Sequence, residues 1–308
     1  MTDSQQLSLF DDGSLSRYSP LHKAVFPFLG YLKGEGKTDN TLKSFRSDLN
    51  LLAEFLGEDV ALGQLSTKRF QEFLQWLEYG RGIPCSRKSY ARRVTTLKVF
   101  SKWLQTEKIR PDDPAAPILQ RSGPAPLQHA LSDEEIHQLL ATADQLRFAD
   151  KPDSRPYVLA RLLIETGIKK SETVTLTTED IENRYSPRPN LITRYERHNV
   201  FKERRLPISP EWIEALDEYL EQHQPKGGFI FDCTPRNLEY VLTDLAKLAG
   251  LETRASFETL RWTCAVRDYR MGMDMEDLRE KMGLSQISWR ETSQKIIKLA
   301  SFVALSTD

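Results

Sequence analysis

The sequence predicts a mainly α-helical protein of two domains, with one small antiparallel β-sheet in the second. Three observations carry this. Apolar residues recur at helical spacing from Leu21 to Glu107 and again over most of the chain beyond Ser132. Prolines at 111, 114, 117, 124 and 126 interrupt the pattern between the two stretches. Only three short runs, all between Asp180 and Ile208, have strand character.

Residues 1–20, with Gly13, Pro20 and several serines, are expected to form a flexible tail. In residues 21–112, Val25, Phe28, Leu29 and Leu32 share one helical face. A turn at Gly34-Glu35-Gly36 follows, and Thr38 or Asn40 then caps a helix carrying Leu42, Phe45, Leu49 and Leu52. Helices over Thr67–Glu78 and Ser86–Gln105 complete a set of four. Residues 113–129 read as a proline-rich linker. The second domain, 130–308, opens with Ser132-Asp133-Glu134-Glu135, a sequence able to satisfy the first free amides of a helix. Helices are expected at 157–165, 170–176, 210–223, 235–249, 256–271 and 274–282, with strands at 180–182, 191–195 and 204–208.

At 308 residues the chain is long enough for each domain to bury its own core. A composition of 39% hydrophobic and 28% charged residues is that of a globular protein. No apolar run approaches the ~20 residues of a membrane span, and Met1-Thr2-Asp3-Ser4 lacks the features of a secretory signal, so a cytoplasmic location without membrane contact is expected. Cys85, Cys233 and Cys264 are odd in number and unclustered, which suggests no disulfide framework, no metal site and no cofactor.

The net charge of −1 hides an asymmetry. Residues 21–120 hold 16 Lys and Arg against 11 Asp and Glu, a net of +5, while residues 121–308 carry a net of −4. Phosphate contact is therefore expected from the first domain. Between Arg81 and Arg110 nine basic residues face one acid, Glu107. Arg87, Lys88, Arg92, Arg93, Lys98 and Lys102 include pairs spaced to share an exposed face, while Val94, Leu97, Phe100 and Leu104 turn inward. Such a face suits double-stranded DNA, and Lys43 and Arg46 are expected to extend it.

Several segments resemble the tyrosine recombinases, the phage integrase family, and specifically their Xer branch. Thr41-Leu42-Lys43-Ser44-Phe45-Arg46-Ser47-Asp48-Leu49 is similar to that family's TLxxYxxDL segment, and Thr166-Gly167-Ile168-Lys169-Lys170-Ser171-Glu172 to its TGLRxSEL segment. Lys202-Glu203-Arg204-Arg205-Leu206-Pro207-Ile208 resembles KERxVPL; Glu258-Thr259-Leu260-Arg261 stands at HxLR and Met282-Gly283-Leu284 at LGH. The resemblance implies a SAM-like four-helix core-binding domain followed by an integrase-like catalytic-type domain.

It also implies where the chemistry belongs. The family's first arginine falls on Lys169, its hairpin lysine on Asn199, the two histidines on Glu258 and Leu284, and the tyrosine near Ser293; only Arg261 is unchanged. No tyrosine follows Tyr269. The reaction needs a nucleophile, two guanidinium forks on the phosphate and a general acid. Lys169 supplies a point charge instead of a fork, and an ionised Glu258 repels phosphate. Loss of strand cleavage is therefore expected, with an architectural, regulatory or accessory role on DNA and no enzyme activity. The alternatives are an active recombinase with displaced groups, such as a hydroxyl of Ser293 or Thr292, and a protein-interaction subunit. Arg261 either grips a phosphate or pairs with Glu258 on the same helix turn. In the resembling enzymes the hairpin reaches the minor groove, which here implicates Arg197, His198, Lys202 and Arg204.

Two further expectations concern partners. Gln6-Leu7-Ser8-Leu9-Phe10 resembles the QLxLF peptide by which bacterial replication and repair proteins bind the sliding clamp, with Gln6 as anchor and Leu7, Leu9 and Phe10 as apolar plugs. The terminal run Ile296, Ile297, Leu299, Ala300, Phe302, Val303 and Leu305 is too apolar to stay in water, so it is expected to dock within the chain and to exchange between copies on DNA.

Overall fold

The computed structural model describes residues 15–57, 59–83, 85–120, 127–197 and 200–304. Its contacts divide the chain into two units, Met1–Pro126 and Leu127–Asp308.

The first unit is helical. Helix α1 (Leu21–Gly34) buries Phe28, Leu29 and Leu32, as their spacing predicts. Helix α2 (Asp39–Leu56) starts at Thr38, whose hydroxyl accepts from the Thr41 amide, so Thr38 and not Asn40 is the cap. Helix α3 (Thr67–Gln75), capped by Ser66, runs on into one π-helical turn, Trp76–Gly80. Helix α4 (Arg87–Thr106), capped by Ser86, lays Val94, Leu97, Phe100 and Leu104 into the core. There Phe28 meets Phe100 edge-on at 5.1 Å between ring centres, the arrangement their quadrupoles favour.

The proline-rich stretch differs from the expected linker at 113–129. Ala115 and Ile118 are buried in the first unit's core, and the Thr67 hydroxyl donates to the Pro114 carbonyl at 2.7 Å. Proline halts the helix without preventing the chain from packing, and residues 114–118 form a strap on the first unit.

The second unit opens with α5 (Asp133–Arg147), where Ser132 and Glu135 cap one another's amides as the sequence implies. Helix α6 (Arg155–Thr166) is apolar on nearly every side and forms the centre of the unit's main core. After α7 (Lys170–Thr173), strands β1 (Ile181–Glu182), β2 (Asn190–Arg197) and β3 (Val200–Pro207) make an antiparallel sheet in the order β1-β2-β3. The hairpin is longer than the runs 191–195 and 204–208 expected from apolar alternation. Pairing continues through polar residues, Arg194 opposite Glu203 and Tyr195 opposite Lys202, because backbone ladders need no apolar side chains.

Helices α8 (Pro210–His223), α9 (Pro235–Leu248), α10 (Phe257–Arg270), α11 (Met275–Lys281) and α12 (Gln286–Ala304) complete the unit. On α12, Ile296, Leu299 and Ala300 are buried in a cluster with Trp262, Ala265 and Val266 of α10. The terminal apolar run therefore docks within its own chain as far as Ala300. Among the described residues no helix is long and apolar enough to cross a membrane.

Candidate nucleic-acid interface and reaction cleft

On α4, Arg87, Lys88 and Lys102 are exposed, and Lys43 and Arg46 are exposed on α2. Lys98 is half-buried. Arg92 and Arg93 depart from the expected phosphate-facing role. Both turn to Asp48 of α2, which is only 3% exposed: Arg92 Nη1 donates to its carboxylate at 2.6 Å and Arg93 Nε lies at 3.5 Å. The Thr96 hydroxyl donates to the same carboxylate at 2.8 Å. Desolvation of the carboxylate exceeds the pull of these partners and raises the Asp48 pKa above its usual value. A carboxylate this deep is held by its cations, so their first duty is internal. The sequence signal was an aspartate beside the core-facing Leu49, and its partners 44 and 45 residues away were not legible.

In the second unit a cleft of about 430 Å³ is lined by Lys169, Glu258, Arg261, Leu284 and Thr292, with apolar walls from Ile168, Trp262 and Met282. Four of the six expected reaction positions thus meet in one place, brought there by the turn between α6 and α7, the first two turns of α10 and the turn after α11. Asn199, the fifth, lies outside the described residues, as does His198. Ser293, the sixth, does not face the cleft: it is buried on α12 and its hydroxyl donates to the Arg290 carbonyl at 3.3 Å. The neighbouring Thr292 stands on the cleft wall, its hydroxyl donating to the Ser288 carbonyl at 2.9 Å.

Arg261 does not pair with Glu258. Its guanidinium donates to the carbonyls of Gly167 and Met282, stapling the end of α6 to the end of α11. Burial lowers its pKa. Glu258 instead accepts from the Trp262 indole at 2.8 Å. Lys169 donates to the Gly283 carbonyl at 3.2 Å, and partial burial lowers its pKa against the opposing pull of Glu172. Its side chain stays 40% exposed at the cleft, with Glu172 4.0 Å from the ammonium, and it offers a point charge where the family's pattern has a fork.

The hairpin also departs in part from expectation. Lys202 is exposed on β3, and Arg197 closes β2, its side chain outside the described residues. Arg204, by contrast, is 14% exposed and committed: Nη2 donates to Glu172 at 2.6 Å, and Nη1 to the Lys281 carbonyl. Since Glu172 also accepts from the Lys169 backbone amide at 2.8 Å, one carboxylate ties the base of the hairpin to the cleft wall. The motif marked Glu172, but this joining role required the fold.

Gly283 sits in the left-handed region, with φ 58°, and a Cβ there would lie 2.8 Å from Arg204 Cζ. We therefore expect Gly283→Ala to cost about 2 kcal/mol, combining positive-φ strain with displacement of Arg204. Urea unfolding measures it; a change within about 0.5 kcal/mol would show that the turn adapts freely.

The phage integrase family matches residues 129–292, and the phage integrase N-terminal SAM-like domain matches residues 26–108. The tyrosine recombinase XerD of Vibrio cholerae serotype O1 is 26% identical over 288 residues, covering 88% of this chain and 90% of its own length. The tyrosine recombinase XerC of Staphylococcus aureus is 27% identical over 276 residues, covering 85% and 88%. Among solved structures, XerH site-specific recombinase bound to palindromic difH substrate in a post-cleavage complex superposes with a TM-score of 0.69 at 17% identity, over 87% of this chain and 80% of that one. A lambda integrase dimer bound to a COC' core site gives 0.68 at 17% identity, over 90% and 77%. At these identities the two structures bear on the fold alone.

These relatives correct the expectation that the chain is not an enzyme. Xer tyrosine recombinases are enzymes, they align with most of this chain, and the substituted positions still enclose a cleft that keeps Arg261, a lysine and a hydroxyl on its walls. Substitution at reaction positions is not by itself a demonstration of inactivity. Matched over more than half of its length, with a SAM-like domain ahead of a helical domain built around that cleft, the chain belongs to the phage integrase family.

Proposed function

We propose that this protein binds double-stranded DNA and takes an accessory, architectural part in recombination, with contact led by the cations of its first unit. The observation that carries the reading is the exposed set Arg87, Lys88, Lys102, Lys43 and Arg46, none of which is in an ion pair with a carboxylate among the described residues. Unpaired, solvated cations can exchange their counterions for phosphates, whereas Arg93, 12% exposed, is held against Asp48 and Arg92 commits one guanidinium nitrogen to it. The DNA-bound state of the structurally similar recombinases supports the same reading. Action on DNA in the cytoplasm accords with it.

Fluorescence anisotropy of a labelled duplex across a salt series tests the reading. Affinity is expected to fall with salt with a log–log slope of about −4.5, roughly −0.9 for each of some five neutralised phosphates. A flat dependence overturns it.

One observation favours a second reading. Thr292 stands on the wall of the cleft that holds Lys169 and Arg261, so strand cleavage by this chain would run through that hydroxyl: an Oγ–P bond forms as the P–O5′ bond breaks, and the hydroxyl's proton ends on the leaving 5′ oxygen. A nicked suicide duplex would then trap a covalent adduct that Thr292→Ala abolishes and Ser293→Ala preserves.

Two partners belong to the proposal. The clamp-like peptide, Gln6, Leu7, Leu9 and Phe10, lies outside the described residues; its weak attachment to the sliding clamp would act with DNA contact through effective concentration. Self-association would run through α12, exchanged between copies on DNA.

A further inference from the structure

The first unit carries a second concavity, of about 510 Å³, on the side of α3 that faces the strap. Its floor is Leu74, Tyr90 and Ile118, all buried, and its rim includes Tyr79 and Leu119, which are 80% and 84% exposed. Two large apolar side chains left in water beside an apolar floor mark a surface made to be covered. Gln71 and Gln75 line the same groove, offering amide donors and acceptors for an extended backbone.

Fourteen residues precede Leu15, the first that is described, and they hold Leu7, Leu9 and Phe10. The path of the chain brings them near. The Gly63 amide donates to the Arg17 carbonyl at 2.6 Å, so the N-terminal segment leaves the unit beside the turn at residues 62–67. That turn also anchors the beginning of the strap: Arg110 donates to the Leu62 carbonyl, and Thr67 to the Pro114 carbonyl at 2.7 Å. Three residues further on, Pro117, Ile118 and Leu119 line the groove. Eight residues separate Leu7 from Leu15, a reach of roughly 26 Å at ~3.3 Å per extended residue, about twice the ~13 Å radius of gyration of a unit of this size.

We propose that this groove is the seat of the chain's own Leu7-Ser8-Leu9-Phe10 segment, which occupies it in the free protein and leaves it when a partner takes the segment. Leu9 and Phe10 then cover the floor between Tyr79 and Leu119, and the glutamines bond the segment's backbone. The partner's grip must exceed this internal contact, so the groove sets a threshold for capture of the tail. The proposal does not depend on DNA contact, and its failure would leave that reading intact.

The test uses the full chain with p-benzoylphenylalanine in place of Phe10, irradiated without DNA, in a mixture of ¹⁵N-labelled and unlabelled protein. The expected product is a crosslink within one chain to the peptides holding Tyr79 or Leu119. Crosslinks between chains would assign the groove to a second copy and overturn the proposal, as would crosslinks scattered elsewhere or none. Hydrogen exchange gives an independent reading. In Leu9→Ser with Phe10→Ser, and equally in Tyr79→Ala with Leu119→Ala, amides of residues 74–79 and 115–119 should exchange about threefold faster or more than in the unaltered protein. Since all four positions are surface or tail residues, the fold survives either pair; unchanged rates in both would overturn the proposal.

Discussion

Replacing Asp48 by alanine is expected to destabilise the first unit by about 3–5 kcal/mol, because it leaves the Arg93 guanidinium buried without its carboxylate and frees Arg92 and Thr96 from their common acceptor. For a unit of roughly 100 residues this corresponds to a fall in Tm of about 15 °C or more. Calorimetry of the full chain should show one transition moving and the other staying, since the second unit has its own core. If Asp48→Ala left both transitions in place, the helices α2 and α4 would be held by apolar contact alone. The same geometry explains why Arg92→Glu with Arg93→Glu is a poor probe of DNA contact: both carboxylates would face Asp48, and the unit would lose stability before binding could be read.

Arg261→Ala is expected to cost about 3 kcal/mol in the second unit, from two charge-assisted bonds to carbonyls at roughly 1.5 kcal/mol each. The carbonyls of Gly167 and Met282 lose their donors, and the end of α6 separates from the end of α11. Arg261→Lys should recover only part of the loss, since one ammonium does not reproduce the fork that spans two carbonyls. Chemical unfolding followed by fluorescence of Trp262 and Trp289, both in the cluster that joins α10 and α12, measures this directly. An unaltered midpoint for Arg261→Ala would mean that Arg261 is kept for phosphate and not for structure.

Much of the fold was legible in the sequence. The caps at Ser132 and the four helices of the first unit follow from local periodicity and side-chain capping, which act within a few residues. The strap at Ala115 and Ile118 was not legible, because prolines announce where a helix stops and not what the chain does next. The site divides the same way. The positions Lys169, Glu258, Arg261 and Leu284 were found by motif and converge on one cleft. What each side chain touches was not found, since Arg261 turns to two carbonyls, Arg204 to Glu172, and Arg92 with Arg93 to Asp48. A run of basic residues gives the sign of a surface, and only the fold says which of its members are already spoken for.

The most direct measurement of the central claim, that the exposed cations of α4 lead DNA contact, compares duplex affinity of the unaltered protein with that of Arg87→Glu, Lys88→Glu and Lys102→Glu combined. All three side chains are exposed, so thermal unfolding should be nearly unchanged. At about 1 kcal/mol or more per lost contact, affinity should fall at least roughly 100-fold. The salt slope should become shallower by about 3 units, close to −0.9 per contact removed. Equal affinity and an equal slope, with the fold intact, would contradict the account and move DNA contact to another face of the protein.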